Sequence, residues 1–359
     1  MRLMMTADTV GGVWQYALEL AAALPATEMV LALLGPAPDA AQRDAAAAIP
    51  GLRLVETGLP LDWLCDRPGP VLEAGAALAR LARETGAEVV QLNAPALGAA
   101  GGFPAPVVAV NHGCLGTWWE AAGKGPVAPA VAWLPDLTGR GLAAAARVVA
   151  PSRAHAAATT RRYCLPVVPL AVHNGRTPLA LPRAEPFRGA LTVGRLWDEV
   201  KDTPVLDAAA ARLDAPFVAI GATRAPHGGS VAPRHLQALG PLPAAELARW
   251  LARRPVFVSA ARFEPFGLAV LEAAQAGCPL VLSDIPTFRE LWDGAAEFVP
   301  AGDAAGFAEA VTALLADRER FEAQARAARS RASRYSAAAM AAAMAAIYRD
   351  AAGRMRGAA

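Results

Sequence analysis

The sequence contains very few lysines and cysteines. Among 34 basic residues only Lys124 and Lys201 are lysines, so each is a candidate for a chemical task that arginine performs poorly. Lys124 lies in a Gly-Lys-Gly-Pro loop and is interpreted as an ordinary surface residue. The four cysteines are scattered without a Cys-x-x-Cys pair, which argues against a zinc site and against a disulfide framework.

Long apolar runs are also missing. Although 55% of the residues are hydrophobic, many of these are alanines, and no stretch of about 18 apolar residues lacks charge and proline. The apolar run at 1–6 is too short for a signal peptide. We therefore expect a cytoplasmic protein whose contact with a membrane is at most peripheral. The net charge of +2, with acids and bases interleaved, gives no sign of a nucleic-acid surface.

Two nucleotide-binding motifs are absent. The chain has neither a Gly-x-Gly-x-x-Gly fingerprint nor a Walker Gly-Lys-Ser/Thr sequence, so NAD binding and ATP hydrolysis lose their main support.

Strand-like apolar runs alternate with alanine-rich helical stretches along the chain, which predicts an α/β fold with two doubly wound parallel sheets. The 359 residues exceed what one core usually serves. We expect an N-terminal domain at 1–172 and a C-terminal domain at 173–334, with the boundary in a proline-rich segment that contains the turn signal His173-Asn174-Gly175. Helices are expected near 13–24, 70–84, 127–145, 303–316, 318–332 and 336–352.

The most informative segment is 259–284. A strand ends at Ser259, Glu264 follows in a turn, and Pro265 is expected to open a helix that carries Glu272 and stops at Gly277. The two carboxylates would then be separated by roughly 12 Å along the helix axis. The N–H groups of the first turn would favour a phosphate; they belong to Phe266, Gly267 and Leu268. The alternative is an amphipathic helix with two solvated glutamates.

A second candidate element runs from Val193 to Asp202. The strand ends at Gly194, so Arg195 and Lys201 emerge at the carboxyl edge of the sheet, beside Glu264. Arginine offers a planar fork and lysine a compact charge, and together they could neutralise a pyrophosphate. The alternative is a surface loop whose own acids pair with both cations.

Three further features lie in the first half. Gly11 and Gly12 follow the first strand, where backbone N–H groups can approach a ligand, although a tight turn would look the same. His112 follows the fifth strand and could be a structural turn residue. Trp118 and Trp119 could stack on the sugar rings of an acceptor, or be buried against a helix.

The segment 259–284 resembles the Glu-x7-Glu signature of family 4 retaining glycosyltransferases, and Gly194–Lys201 resembles the Gly-Arg-Leu…Lys element of the same family. The resemblance implies the GT-B fold, with two Rossmann-like domains facing a central cleft and the helix after Tyr335 returning to the first domain. It implies that Arg195 and Lys201 grip the donor phosphates of a nucleotide sugar, that Glu264 binds the transferred sugar and that Glu272 takes the ribose.

The resemblance extends to the first domain. The Gly11-Gly12 loop matches the family's loop facing the donor phosphates, and His112 resembles the cleft histidine that contacts the sugar, although Gly113 stands where Asp is common. The resemblance also implies retention of configuration by a front-face route. No Asp-x-Asp occurs, so no metal and no cofactor are expected. A nucleotide-sugar epimerase, a phosphorylase with pyridoxal phosphate on Lys124 or Lys201, and a sugar-nucleotide-binding scaffold stay open as alternatives.

Overall fold

A computed structural model describes residues 1–358 and the side chains of residues 1–353. The chain forms two compact units. Unit 1 contains Met1–Gly175 and the helix that follows Ser336, and unit 2 contains Arg176–Ser336. Both are parallel α/β sheets covered by helices, so the predicted fold class is confirmed.

The sheet of unit 1 has seven parallel strands within the described residues, in the order β3-β2-β1-β4-β5-β6-β7. These are β1 (Arg2–Asp8), β2 (Glu28–Leu34), β3 (Leu52–Leu59), β4 (Val89–Leu92), β5 (Val107–Val110), β6 (Arg147–Ala150) and β7 (Leu170–Ala171). Leu3 and Met5 of β1 belong to one core cluster and Met4 to another. Because successive side chains of a strand point to opposite faces, both faces of this sheet are buried.

The helices of unit 1 connect these strands. They are α1 (Gly12–Ala22), α2 (Ala40–Ala47), α3 (Pro68–Glu84), α4 (Leu115–Ala121), α5 (Trp133–Ala144) and α6 (Arg153–Tyr163). The helix predicted over 127–145 is wrong at its start, because Pro129–Val131 form a separate 3-10 turn before α5. Helices α2, α4 and α6 were not predicted. The Asp39 side chain caps α2, and Gln42 completes its capping box.

Unit 2 has six parallel strands within the described residues, in the order β10-β9-β8-β11-β12-β13. These are β8 (Ala190–Val193), β9 (Phe217–Ile220), β10 (Gln237–Ala238), β11 (Val256–Ser259), β12 (Leu280–Ser283) and β13 (Glu297–Val299). Its helices are α7 (Thr203–Ala210), α8 (Ala244–Ala252), α9 (Leu268–Gln275), α10 (Pro286–Trp292), α11 (Ala304–Ala316) and α12 (Arg318–Ala332).

The last helix, α13 (Ala337–Ala358), is part of unit 1. Met340, Met344 and Tyr348 lie in the same core cluster as Leu3 and Trp14. Their spacing of four residues places them on one face of the helix, and that face covers the sheet. No helix among the described residues is long and apolar enough to cross a bilayer.

Each sheet contains a point where the strand order reverses direction. In unit 1 this point lies between β1 and β4, and in unit 2 between β8 and β11. Ligands of open parallel sheets bind outside the carboxyl ends of the strands at such a point. The loops that follow these four strands are therefore where a site is expected.

Candidate functional site

The loops after β8 and β11 are joined by an ion pair. The Lys201 Nζ atom lies 2.5 Å from the Glu264 Oε2 atom, and each side chain is 20% exposed. Strands β8 and β11 are hydrogen-bonded neighbours, with Val256 paired to Ala190 and Phe257 to Leu191. This parallel pairing brings the two predicted residues to the same edge, where both side chains remain accessible to a ligand.

Backbone contacts hold the two loops together beside this ion pair. Lys201 ends a 3-10 turn, Glu199–Lys201, in which the Val200 N–H donates to the Asp198 side chain. The Arg262 N–H donates to the Val200 carbonyl at 2.8 Å, and the Arg262 Nε atom lies 3.3 Å from the Asp202 carboxylate. The contacts of Arg262 therefore hold in place the turn that carries Lys201.

Arg195 lies at the same edge and makes a different ion pair. Its Nη2 atom donates to the Asp198 carboxylate at 2.8 Å; Asp198 is buried, while the Arg195 side chain is 47% exposed. The guanidinium carbon lies 5.4 Å from the centre of the Trp197 ring. The alternative in which local acids pair with the cations is thus realised for Arg195 with Asp198, but Lys201 pairs with Glu264.

The expectation that Pro265 opens the next helix is wrong. Helix α9 begins at Leu268, and Gly267 precedes it with φ +94°. Pro265 and Phe266 belong to a turn, so Glu264 lies outside the helix and the rise of about 12 Å along one axis does not apply. Only Leu268 of the three predicted amide residues is helical; Phe266 and Gly267 lie in the approach to the helix.

Gly267 has little room for a side chain. A Cβ atom there would come within 3.3 Å of the Glu264 Cγ, Phe288 Cε1 and Val270 Cγ2 atoms, and the positive φ disfavours any other residue. Backbone conformation and packing therefore both favour glycine here, and it lets the chain turn from Glu264 into α9.

Glu272 is buried on α9 in an ion pair with Arg176. The Arg176 Nε atom donates to the Glu272 Oε1 atom at 2.5 Å, and both side chains are 9% exposed. The backbone of Arg176 is fixed as well: its carbonyl accepts from the Gln275 amide at 2.9 Å, and its N–H donates to the Tyr335 carbonyl at 3.2 Å. The guanidinium compensates the buried carboxylate. The alternative of two solvated glutamates does not hold for Glu272.

The glycine loop of unit 1 surrounds a carboxylate. The N–H groups of Val10 and Gly11 donate to the Asp8 Oδ1 atom at 2.8 and 3.1 Å. Gly11 is the N-cap of α1 and Gly12 its first residue. Gly12 is exposed at the start of a helix, where the backbone favours negative charge.

His112 is held against the sheet of unit 1. Its Nε2 atom lies 3.0 Å from the Asn93 Oδ1 atom, and its ring meets the edge of Tyr16 with centroids 4.4 Å apart. Burial, with a smaller contribution from nearby His155, lowers the pKa of His112 to about 3. The imidazole is therefore neutral at physiological pH and suits hydrogen bonding better than proton donation.

Trp118 and Trp119 are partly buried on α4, with ring centroids 6.3 Å apart in an edge-on arrangement. The Lys124 ammonium nitrogen lies 5.2 and 5.6 Å from the two ring centres. Both distances are in the range of a cation–π interaction. Lys124, interpreted above as an ordinary surface residue, thus covers this aromatic pair.

Sequence reasoning missed three buried polar residues near these sites, namely Arg176, Asn93 and Gln91. Asn93 follows β4, next to the switch point of unit 1, so its position after a strand is a signal that could have identified it. Arg176 had no comparable signal, because its partner Glu272 is 96 residues away in the sequence. Among the described residues, no group of three or more acidic, histidine or cysteine side chains has metal-site geometry.

Comparison with known proteins gives two family matches in succession. Residues 10–176 match Glycosyltransferase Family 4, and residues 188–317 match Glycosyl transferases group 1. A phosphatidyl-myo-inositol mannosyltransferase of Mycobacterium leprae is 48% identical over 63 residues, which are 16% of this chain and 17% of that protein. The chain thus aligns with under a quarter of the length of its curated relatives.

Solved structures match over the whole chain. Sucrose-phosphate synthase from Thermosynechococcus elongatus has a TM-score of 0.79 at 18% identity, covering 100% of both chains. Anabaena HepE, in complex with UDP-glucose, has a TM-score of 0.75 at 17% identity, covering 98% of this chain and 100% of HepE. At these identities the likeness concerns the fold. With both family matches and the GT-B fold, the chain belongs to the group 1, family 4 glycosyltransferases.

Proposed function

We propose that the protein is a retaining glycosyltransferase that moves a hexosyl group from a nucleoside diphosphate sugar to a hydroxyl acceptor. The observation that carries this proposal is the Lys201–Glu264 ion pair, 2.5 Å long and partly exposed, at the carboxyl edge where the strand order of unit 2 reverses. It offers a cation for phosphate next to a carboxylate for sugar hydroxyls.

Breaking a glycosyl–phosphate bond develops positive charge at the anomeric carbon and negative charge on the departing diphosphate. Fixed charged and polar groups around the leaving group therefore stabilise the transition state most. In this proposal Lys201 and Arg195 bind the phosphate oxygens, and Glu264 accepts hydrogen bonds from the transferred hexose. Each cation is ion-paired with an acid, and these pairs hold both cationic side chains in place before the donor binds.

The start of α9 supplies a second phosphate contact. The N–H of Leu268 and the backbone before it lie at the positive end of the helix dipole, and Gly267 leaves that end uncovered by a side chain. We include Phe266 and Gly267 as backbone contacts, although they precede the helix. The phosphates then lie between these amides and Lys201.

Glu272 takes the ribose diol in this proposal. Its side chain is only 9% exposed, and the Arg176 guanidinium beside it supplies the opposite charge. Arg176 keeps the carboxylate in one orientation on α9, which is what recognition of a vicinal diol requires.

Unit 1 recognises the acceptor. Trp118 and Trp119 offer aromatic faces for a sugar or another ring, with Lys124 beside them. His112 and the Gly11-Gly12 loop contact the donor.

The acceptor hydroxyl attacks from the same face that the phosphate leaves, and a phosphate oxygen takes its proton. The site needs no covalent nucleophile on this route, and the anomeric configuration is retained.

The proposal assigns the charge neutralisation to Arg195 and Lys201, and therefore includes no metal and no cofactor. The absence of an Asp-x-Asp sequence supports it. We also propose that the protein is cytoplasmic and that any contact with a membrane is peripheral.

The test begins with binding. UDP-, GDP- and ADP-sugars are screened by thermal shift, and the donor selected is then incubated with simple sugar and lipid acceptors while nucleoside diphosphate release is measured. Transfer with retained configuration, seen by NMR of the product anomer, and a rate unchanged by EDTA are expected. Binding without release of diphosphate with any acceptor would favour a binding protein over a transferase. A product of inverted configuration would overturn the retaining mechanism, and loss of rate in EDTA would overturn the proposal that no metal is needed.

A further inference from the structure

Three buried polar side chains of unit 1, those of Tyr348, Gln91 and Asn93, connect α13 to His112. The Tyr348 hydroxyl donates to the Gln91 Oε1 atom. The Gln91 Nε2 atom donates to the Asn93 Oδ1 atom at 2.8 Å, and the same oxygen lies 3.0 Å from the His112 Nε2 atom. Gln91 and Tyr348 are fully buried and Asn93 is 9% exposed. The network therefore runs from the last helix, through β4, to the predicted sugar-contacting residue.

A backbone carbonyl fixes the direction of these hydrogen bonds. The Asn93 Nδ2 atom donates to the Thr6 carbonyl at 2.6 Å, and the Asn93 N–H donates to the Thr6 hydroxyl at 2.9 Å. Because a carbonyl can only accept, the amide nitrogen of Asn93 must face Thr6. Its oxygen must then face His112, and that oxygen can only accept. The His112 Nε2 atom is consequently the donor.

A neutral imidazole has one N–H and one acceptor nitrogen. If Nε2 carries the proton, Nδ1 carries the lone pair, and no described residue hydrogen-bonds to it. The titratable groups that face the ring are Tyr16, at its edge, and His155. Burial raises the pKa of Tyr16, so the phenol stays neutral, and burial lowers the pKa of His155 to about 4. None of these groups favours an imidazolium.

We infer that Asn93 is a positioning residue that locks His112 as the neutral Nε2–H tautomer, so that Nδ1 accepts a hydrogen bond from a substrate hydroxyl. Gln91 and Tyr348 hold Asn93 in place. The inference rests on the proposed function for the identity of the hydroxyl. It limits His112 to accepting a hydrogen bond, because the only proton on the ring is donated to Asn93 and cannot be offered to the leaving phosphate.

The direct test is NMR of the full-length protein with ¹⁵N-labelled histidine. The chain has five histidines, and the spectrum of His112→Gln identifies the signals of His112. We expect the shifts of a neutral Nε2–H ring that do not change between pH 5 and pH 9. An Nδ1–H ring, or a titration within this range, would overturn the inference. The experiment needs no substrate, so its failure is distinguishable from failure of the transferase proposal.

Variants then separate positioning from stability. Asn93→Ala removes the oxygen that orients the ring, and we expect a mixture of tautomers together with a transfer rate about tenfold lower, as for one hydrogen bond lost. Tyr348→Phe removes only the hydroxyl that holds Gln91 and should shift the tautomers in the same direction. Tyr335→Phe is the matched control, since its buried hydroxyl donates to the Leu291 carbonyl in unit 2.

Both the control and the conservative variant guard against a folding artefact. If Asn93→Ala does not fold, the wild-type spectrum and Tyr348→Phe carry the test. A change in the His112 signals in Tyr348→Phe and none in Tyr335→Phe is the expected pattern. Retention of the pure Nε2–H form in folded Asn93→Ala would show that Asn93 does not set the tautomer.

Discussion

The Lys201 ammonium group lies 2.5 Å from the Glu264 carboxylate, although 63 residues separate them in the sequence. The contact follows from the parallel pairing of β8 with β11, because parallel strands end at the same edge of a sheet. A cation and an anion that share this edge can bind the two chemically different halves of a sugar phosphate.

Replacing Lys201 by methionine removes the charge and keeps most of the stem. We expect turnover to fall by about 10²–10³, because a fixed charge on the leaving group acts mainly in the transition state. Binding of the donor should weaken much less. The measurement is kcat at saturating donor, with the donor Kd from calorimetry.

Glu322→Gln is the control for this variant. It removes one charge from the Arg254–Glu322 pair of the same unit, which is 2.7 Å long and more exposed, and exposed pairs contribute about 0–1 kcal/mol. Full rate in Lys201→Met at saturating donor would contradict the assignment of leaving-group stabilisation.

Gly267→Ala should lower the unfolding free energy by about 1–2 kcal/mol, because a side chain is disfavoured at positive φ. Gly228 has the same φ of +94° but has open space around its Cβ position, so Gly228→Ala isolates the backbone strain. We expect both variants to be destabilised, and only Gly267→Ala to lose donor affinity. Urea unfolding and calorimetry measure the two effects; equal donor affinity in both variants would remove Gly267 from the site.

Because Arg176 and Glu272 form a buried ion pair, we expect their contributions to the unfolding free energy to be strongly coupled. Arg176→Met and Glu272→Gln each remove one partner of a buried pair, and we expect each to cost about 3–5 kcal/mol of unfolding free energy. The double variant should lose less than the sum of the two. Urea unfolding of the four proteins in a double-mutant cycle measures the coupling. Additive losses would show that the two side chains act independently.

Glu272 also predicts selectivity for the sugar of the nucleotide. A nucleoside diphosphate should bind more tightly than its 2′-deoxy analogue, by about tenfold for one lost hydrogen bond to a charged group. Glu272→Ala should reduce this preference and weaken the ribonucleotide more than the deoxy analogue. Calorimetry with both ligands on both proteins provides the measurement. An unchanged preference in Glu272→Ala would place the ribose elsewhere.

Asp62 predicts a pH-dependent stability. Burial, with a smaller contribution from nearby Asp8, raises the pKa of Asp62 to about 6. The folded protein therefore holds a proton that the unfolded chain has already released between pH 4 and pH 6, so this contribution to stability is present below pH 4 and is lost as the pH rises through 6. Asp62→Asn should flatten this decline and be the more stable protein at pH 7.

Melting curves between pH 4 and pH 8 measure the effect of Asp62. Asp66→Asn is the control, because Asp66 is an exposed carboxylate four residues along the same loop. Parallel curves for the wild type and Asp62→Asn would contradict the assignment.

The α/β class and most strands follow from the sequence because long apolar runs and alanine-rich helices have clear periodicity. Strands β7 and β10 have no signal in the sequence, because two residues are too short to show any period. The start of α9 was placed wrongly at Pro265. Proline is common at the first helical position, but Gly267 has a positive φ and the helix begins only at Leu268. The side chains of Glu264, Val270 and Phe288 surround Gly267, and the local sequence does not show this tertiary arrangement.

Some contacts between site residues could likewise be predicted from the sequence, and others could not. Lys201 and Glu264 could be brought together from the sequence, because each follows a strand and parallel strands share an edge. The partner of Glu272 could not, because Arg176 meets α9 only through tertiary packing. The network from Tyr348 to His112 was equally hidden, since α13 lies more than 200 residues beyond His112 in the sequence.

The most direct test of the central claim is a crystal structure of the full-length chain soaked with the nucleoside diphosphate that the binding screen selects. We predict phosphate oxygens within hydrogen-bonding distance of the Lys201 Nζ atom, the Arg195 guanidinium and the Leu268 N–H, with the ribose on Glu272. A diphosphate bound elsewhere, with Lys201 still paired only to Glu264, would contradict the account.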